Sequence, residues 1–220
     1  HAVTADQAQR CDLYIVAVKP QIMAAVLPGL IDHIDSENAL LSVAAGTTIA
    51  ALGEPFSAVK PRIIRAMPNT PALVQRGITV CVANERVSAQ QCQMVSTVLS
   101  AIGDVEWVDD EALIDAVTGV SGSGPAYVFH LAEALAEAGV AAGLPADLAA
   151  KLAQATVSGA GELMRQSDLS PDQLRRNVTS PNGTTQAALD VLMADDGFPA
   201  LLKKAVAAAT NRSRELAGGS

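Results

Sequence analysis

Two textures follow one another along this chain. Up to about residue 110 the apolar residues gather in short unbroken runs, and beyond it they recur at helical spacing. The runs at 12–18, 39–45 and 62–66 stop at Lys19-Pro20, at Gly46 and at Met67-Pro68-Asn69-Thr70-Pro71. A short apolar run closed by such breakers predicts a strand buried on both faces, as in parallel sheets. Residues 78–83 alternate less clearly but are β-branched, and 105–108 form a short last strand. Between the runs the spacing predicts helices over 20–34, 49–52 and 88–102, the second capped by Thr47-Thr48 and the third by Ser88. Strands alternating with helices predict an α/β fold with a doubly wound parallel sheet, which binds ligands at the carboxyl ends of its strands.

After Asp109-Asp110-Glu111 no β-rich run returns. Helices are predicted over 111–117, 126–142, 147–166, 171–176, 187–195 and 198–216, with Gly143-Leu144-Pro145 ending the second of them. The expected organisation is an α/β part over 1–110 and an all-α part over 111–220. The helical part is rich in alanine. Small residues at helical spacing suit an oligomer interface or close packing within one subunit, and both readings stand at this point.

Composition narrows the function classes. Half of the 220 residues are hydrophobic but only 3% are aromatic, which predicts closely packed helices built from Ala, Leu and Val. The net charge of -8 argues against nucleic acid or an anionic membrane surface as partner. Cys11, Cys81 and Cys92 show neither metal-ligand nor C-x-x-C spacing, as expected for thiols in a reducing, cytoplasmic setting. No metal site and no membrane span are expected. The opening His-Ala-Val-Thr-Ala-Asp-Gln is polar and lacks the pattern of a signal peptide; starting in mid-pattern, it is expected not to be the natural beginning of the chain.

The stretch Asn177-Val178-Thr179-Ser180-Pro181-Asn182-Gly183-Thr184-Thr185 stands out chemically. Pro181 and Gly183 mark a turn, hydroxyls flank it, and an amphipathic run begins at Gln186. That combination suits a helix start that holds an anion; it also suits an ordinary capped helix with a glycine turn. Gly122-Ser123-Gly124 lacks the third glycine of a dinucleotide loop and runs into Pro125, so it reads as a turn with Pro125 at the first helical position. Lys19, at a strand end before proline, is either solvated or placed to touch a cofactor. His1, His33 and His130 have no partners at ligand spacing. Asp195-Asp196 before Gly197 reads as a helix end, and Asp109, Asp110 and Glu111 as a solvated domain junction.

Taken together, these segments resemble one family, pyrroline-5-carboxylate reductase, the last enzyme of proline synthesis. The resemblance is carried by Ala17-Val18-Lys19-Pro20-Gln21, Ser42-Val43-Ala44-Ala45-Gly46 and Arg65-Ala66-Met67-Pro68-Asn69-Thr70-Pro71. It continues through Thr118-Gly119-Val120-Ser121-Gly122-Ser123-Gly124-Pro125-Ala126-Tyr127 and Val178-Thr179-Ser180-Pro181-Asn182-Gly183-Thr184-Thr185. It runs in order along the whole chain. Two departures are visible. Family members begin with a strand and a Gly-x-Gly-x-x-Gly-type unit, roughly 50 residues against the ~30 of a βαβ unit, that this sequence does not contain. The family's Ser-Pro-Gly-Gly is here Ser180-Pro181-Asn182-Gly183, and asparagine tolerates the left-handed conformation that the turn needs.

The resemblance implies a partial Rossmann-like domain followed by an all-α dimerisation domain. It implies hydride transfer from NADPH or NADH to the C=N carbon of 1-pyrroline-5-carboxylate, giving L-proline. Ala17, Val18, Lys19 and Pro20 would lie along the nicotinamide, with Met67, Pro68 and Asn69 lining the cleft. Ser180, Asn182, Gly183, Thr184 and Thr185 would bind substrate, Thr185 serving catalysis at the imine nitrogen. The implied assembly is a homodimer, or a larger set of dimers, with the site completed between subunits. The rival expectations are another NAD(P)-dependent imine or 3-hydroxyacid oxidoreductase of this architecture, or an inactive truncated fragment that only dimerises.

Overall fold

The computed structural model describes residues 11–218; the polar opening and His1 lie outside the described residues. The chain forms two compact units, one taking in the chain up to Ser123 together with Val206 onward, the other running Gly124–Ala205. The break expected at Asp110 therefore lies before the end of the first unit. That unit also recovers the second half of the last helix. There the Ser213 hydroxyl donates to Asp115 Oδ1 at 2.7 Å, and both Thr210 and Ser213 are buried.

The first unit is a five-stranded sheet in the order β1 (Leu13–Val16), β2 (Ala39–Ser42), β3 (Arg62–Met67), β4 (Gly77–Ala83) and β5 (Gly103–Trp107). α1 (Pro20–Val26) follows β1, and α2 (Ile49–Gly53) follows β2 with Thr48 as N-cap accepting from Ala51 N at 3.2 Å. α3 (Ala89–Leu99) opens with a capping box between Ser88 and Gln91. Two apolar layers bury the sheet. Val16, Leu40 and Ile63 pack with Met23, Leu27, Leu52 and Phe56 on one face. Leu41, Ile64 and Cys81 pack with Val95 and Leu99 of α3 on the other.

The sheet differs from the expected all-parallel form at one place. β1, β2 and β3 are parallel, and so are β4 and β5, but β3 pairs with β4 antiparallel. The reason is the connection. Between Met67 and Gly77 there is only a 3-10 turn at Thr70–Val74, and a parallel neighbour needs a crossover of a dozen residues or more.

The fully buried Cys81 sits in this core. Burial, with the neighbouring Cys92 adding to it, pushes its thiol from an ordinary value of about 9 up to about 12. The folded protein thus keeps a proton that the unfolded chain releases. The stability tied to it is whole below about pH 9 and declines between about 9 and 12, by up to about 1.4 kcal/mol per pH unit. Urea unfolding across that range is expected to show the slope, and Cys81→Ala to flatten it; an unaltered slope in the variant removes the assignment.

The second unit is helical. α5 (Gly124–Ala141) follows α4 (Leu113–Val117) and a π-helical turn at Thr118–Gly122. The expected turn at Gly122-Ser123-Gly124 narrows to a bend at Ser123: its N–H donates to Thr118 O at 2.8 Å, closing the π turn at Gly122, and α5 begins at Gly124, one residue before Pro125. α5 turns into α6 (Ala146–Gln166) through a Schellman end, with Gly143 N on Val140 O and Leu144 N on Gly139 O. α7 (Pro171–Asn177), α8 (Thr184–Leu192) and α9 (Phe198–Gly218) complete the chain. Within Gly124–Ala205 the only buried apolar residues among those described are Ala149 and Ala153.

Candidate functional site

In the first unit the register aligns Val16, Ser42 and Arg65 side by side near the ends of three parallel strands. The segments just beyond them leave the sheet at one edge, and this edge gathers all seven candidate cofactor residues. Ala17 and Lys19 are exposed, and Val18 is half-buried. Lys19 is extended at φ -64, ψ 145 because Pro20 follows it, and it forms the N-cap position of α1. That leaves a lysine side chain exposed at the carboxyl edge of the parallel strands. Met67, Pro68 and Asn69 leave β3 half-buried.

Asn69 is more tightly committed than its motif position suggests. Its Oδ1 accepts from Ile78 N at 2.9 Å, and its Nδ2 donates to Ser121 O at 3.2 Å. One side chain thus continues the β3–β4 ladder past Met67 and ties it to the π turn. The same turn approaches β3 closely. A Cβ on Gly122 would lie 2.6 Å from Met67 Cε, so this position has room for glycine alone unless Met67 moves.

Beneath the edge lies an ion pair that the sequence reading missed. Arg65 is 3% exposed, and its Nη1 donates to Glu111 Oε1 at 2.9 Å. The same oxygen accepts from Ile49 N, the first amide of α2, at 2.8 Å. Glu111 is therefore no solvated junction residue. The available signal was Arg65 itself: an arginine inside a strand apolar on both sides requires a counter-charge from somewhere.

The second unit carries the hydroxyl-rich stretch. Gly183 N donates to Ser180 O at 3.0 Å, closing a turn with Pro181 second and Asn182 third. Asn182 has φ +60, the left-handed value that a type II turn needs at that place. A Cβ on Gly183 would lie 2.6 Å from Ser180 Oγ, so the Ser180 hydroxyl is seated against the Gly183 backbone. α8 begins at Thr184 and Ala187 N donates to Gly183 O at 3.2 Å, so the amides of Thr184, Thr185 and Gln186 occupy the first turn, ahead of any intrahelical acceptor. The turn itself uses the Gly183 amide, which leaves the amides of Asn182 and Thr184 on either side of it for a ligand. Ser180, Asn182 and Thr184 are exposed, and Thr185 is half-buried. Among the described residues no group of three or more His, Cys, Asp or Glu converges to hold a metal. Among the described residues no helix is long and apolar enough to cross a membrane.

Comparison with known proteins gives this geometry a setting. A family model described as pyrroline-5-carboxylate reductase dimerisation matches residues 111–216. A pyrroline-5-carboxylate reductase of Pseudomonas aeruginosa is 45% identical over 206 residues, covering 94% of this chain and 75% of that protein. Among solved structures, a pyrroline-5-carboxylate reductase from Coxiella burnetii aligns with a TM-score of 0.87 at 39% identity, covering 93% of this chain and 76% of the other. The Plasmodium falciparum pyrroline carboxylate reductase with NADP bound aligns with a TM-score of 0.79 at 32% identity, covering 97% and 80%.

Proposed function

Because this chain belongs to the pyrroline-5-carboxylate reductase family, we propose that it reduces 1-pyrroline-5-carboxylate to L-proline with NADPH or NADH as hydride donor. The observation that carries the reading on the chain itself is the turn at Ser180–Gly183 opening α8. It offers hydroxyls and first-turn amides to an anion, and the substrate is a carboxylate. When bound, the nicotinamide supplies the hydride that the imine carbon receives.

The residues present suit the nicotinamide side of such a cofactor. Three parallel strand ends open at one edge, Lys19 places a cation there for an anionic dinucleotide, and Val18, Met67 and Pro68 add apolar surface. Asn69 contributes by holding that edge in shape, with both polar atoms of its side chain engaged. The Ser180 hydroxyl with the Asn182 and Thr184 amides holds the carboxylate at the positive end of α8. Thr185 Oγ1 donates to the imine nitrogen and stabilises the charge that shifts there as the carbon is reduced.

The proposed assembly is a homodimer built on the helical unit, with larger assemblies of such dimers. Its support is physical as well as familial. α5 is eighteen residues long and none of them is buried, although Val128, Phe129, Leu131 and Leu135 are large and apolar. A helix of that composition needs a covering surface. A cytoplasmic setting is proposed with it, supported by Cys81 and Cys92 standing as free thiols.

The test is oxidation of NADPH on addition of pyrroline-5-carboxylate to the purified full-length protein, with an enzyme-free blank. Turnover is expected, and its absence from a folded dimer overturns the reading. Within it, Thr185→Ala is expected to lower kcat/KM about tenfold or more, the effect of one lost transition-state hydrogen bond. Ser180→Ala is expected to raise KM for the imine acid with kcat nearly unchanged. Steady-state kinetics on both variants decide these roles: normal kinetics in the threonine variant removes Thr185 from the reaction, and an unaltered KM in the serine variant moves the carboxylate elsewhere.

A further inference from the structure

The loop after β2 lies between the two candidate cofactor segments, because β2 is the middle one of the three parallel strands. Its start is pinned by backbone: Val43 N continues the ladder to Val16 O at 3.3 Å, and Ala44 is buried in the core. Its tip is Ala45-Gly46, with Gly46 at φ +71. Its far end is α2, and there the attachment is chemical. The Thr48 side chain caps Ala51 N, while the N–H of Ile49 reaches Glu111.

Glu111 comes from the segment after β5, sixty-two residues from Ile49 and forty-six from Arg65. One oxygen of its carboxylate takes both donors. The other terminal nitrogen of the guanidinium, Arg65 Nη2, is buried with no hydrogen-bond partner. Glu111 is thus the counter-charge of a cation inside the sheet layer and, through the same atom, the tether of the β2–α2 loop. A buried cation whose partner is removed does not stay where it was, since an uncompensated charge in a low-dielectric layer is strongly unfavourable. Motion of Arg65 would carry the end of β3 with it, two residues before Met67.

We propose that Glu111 is a positioning residue for the cofactor edge: its carboxylate locks the loop after β2 to the end of β3, so that the surface between Ala17–Pro20 and Met67–Asn69 keeps one shape. This rests on the reductase reading for the identity of the ligand. It assigns Glu111 no contact with cofactor or substrate. The imine acid is held by the Ser180–Thr185 turn of the other unit, so the effect is expected on one ligand and not on both.

The test is NADPH affinity by fluorescence titration, read beside KM for the imine acid, in Glu111→Ala, Glu111→Gln and Ile49→Pro. Glu111→Ala is expected to raise the NADPH Kd about tenfold, a shift of about 1.4 kcal/mol, with KM for the imine acid within about twofold of wild type. Glu111→Gln keeps an oxygen for both donors and is expected to recover part of the loss. Ile49→Pro removes the tethering N–H together with a side chain that packs on the core, and Ile49→Ala, which keeps the N–H, is its control. Proline is accepted at the first helical position, and Thr48, at φ -78 and ψ 160, already has the extended backbone that a following proline demands. It is expected to raise the NADPH Kd by roughly threefold, the effect of one weak net hydrogen bond, with the ion pair intact. A folded Glu111→Ala variant with NADPH Kd unchanged, or with both substrates weakened in parallel, overturns the proposal. If that variant does not fold, Ile49→Pro decides, and an unchanged Kd there overturns it equally. Wild type that binds NADPH but does not reduce the imine acid would count against the reductase reading alone.

Discussion

Val128→Asp combined with Leu135→Asp is expected to leave the protein monomeric and at least about a hundredfold less active. The two positions are seven residues apart on α5 and, with Leu131 between them, form one apolar stripe. They are 46%, 39% and 43% exposed for Val128, Leu131 and Leu135 in the single chain, although a well-packed unit would bury such residues. The helical unit has almost no interior of its own, with Ala149 and Ala153 as its only buried apolar residues among those described. Covering each large side chain contributes roughly 1.5–3 kcal/mol, and an aspartate under the same cover must give up its hydration without a partner. The dimer is therefore expected to lose several kcal/mol for each protomer. Light scattering at micromolar concentration, alongside NADPH oxidation, checks this. A variant that remains dimeric and active would show that the stripe faces solvent in the assembly.

Gly103→Ala is expected to lower the melting temperature by roughly 6–12 °C, from a loss of about 3 kcal/mol. Gly103 opens β5 at φ +145 and stands in register with Gly77, which opens β4. A methyl group there would collide with the Gly77 carbonyl, a backbone atom that cannot swing aside. Gly77 is itself confined, its own Cβ position lying 3.0 Å from Ala72 and from Ile102 O. The strain would fall on the pairing of the last two strands. Gly29→Ala is the control, since a methyl there meets nothing within 4 Å. Thermal unfolding of both variants by circular dichroism decides it, and equal melting temperatures would remove steric confinement as the reason for the glycine pair.

The candidate site was legible to different depths in its two halves. The turn at Ser180–Gly183 could be read directly, down to Asn182 taking the left-handed place, because proline, asparagine and glycine each restrict their own backbone. That the turn consumes the Gly183 amide was not legible, since which amide a turn consumes depends on how tightly it closes. At the other edge, the breakers located the three strand ends only to within three residues: β1 and β2 stop at Val16 and Ser42, ahead of Lys19 and Gly46, and β3 runs on to Met67. Asn69 and Glu111 were not understood, because their partners lie far along the chain: Asn69 reaches Ser121, and Glu111 reaches Arg65 and Ile49.

By itself the sequence determined the order of the strands and main helices, the caps at Thr48 and Ser88, where the hydroxyl turn forms, and the family. All of these rest on local spacing and on residue types with few backbone options. Only the tertiary structure decided that β4 runs against β3, that Thr118–Gly122 forms a π turn, and that Val206 onward joins the first unit. The same holds for the burial of Arg65 against Glu111. Those outcomes depend on which distant groups can satisfy one another once the chain has packed: a buried charge, an open strand edge or an uncovered helix face is completed by residues that no local pattern announces.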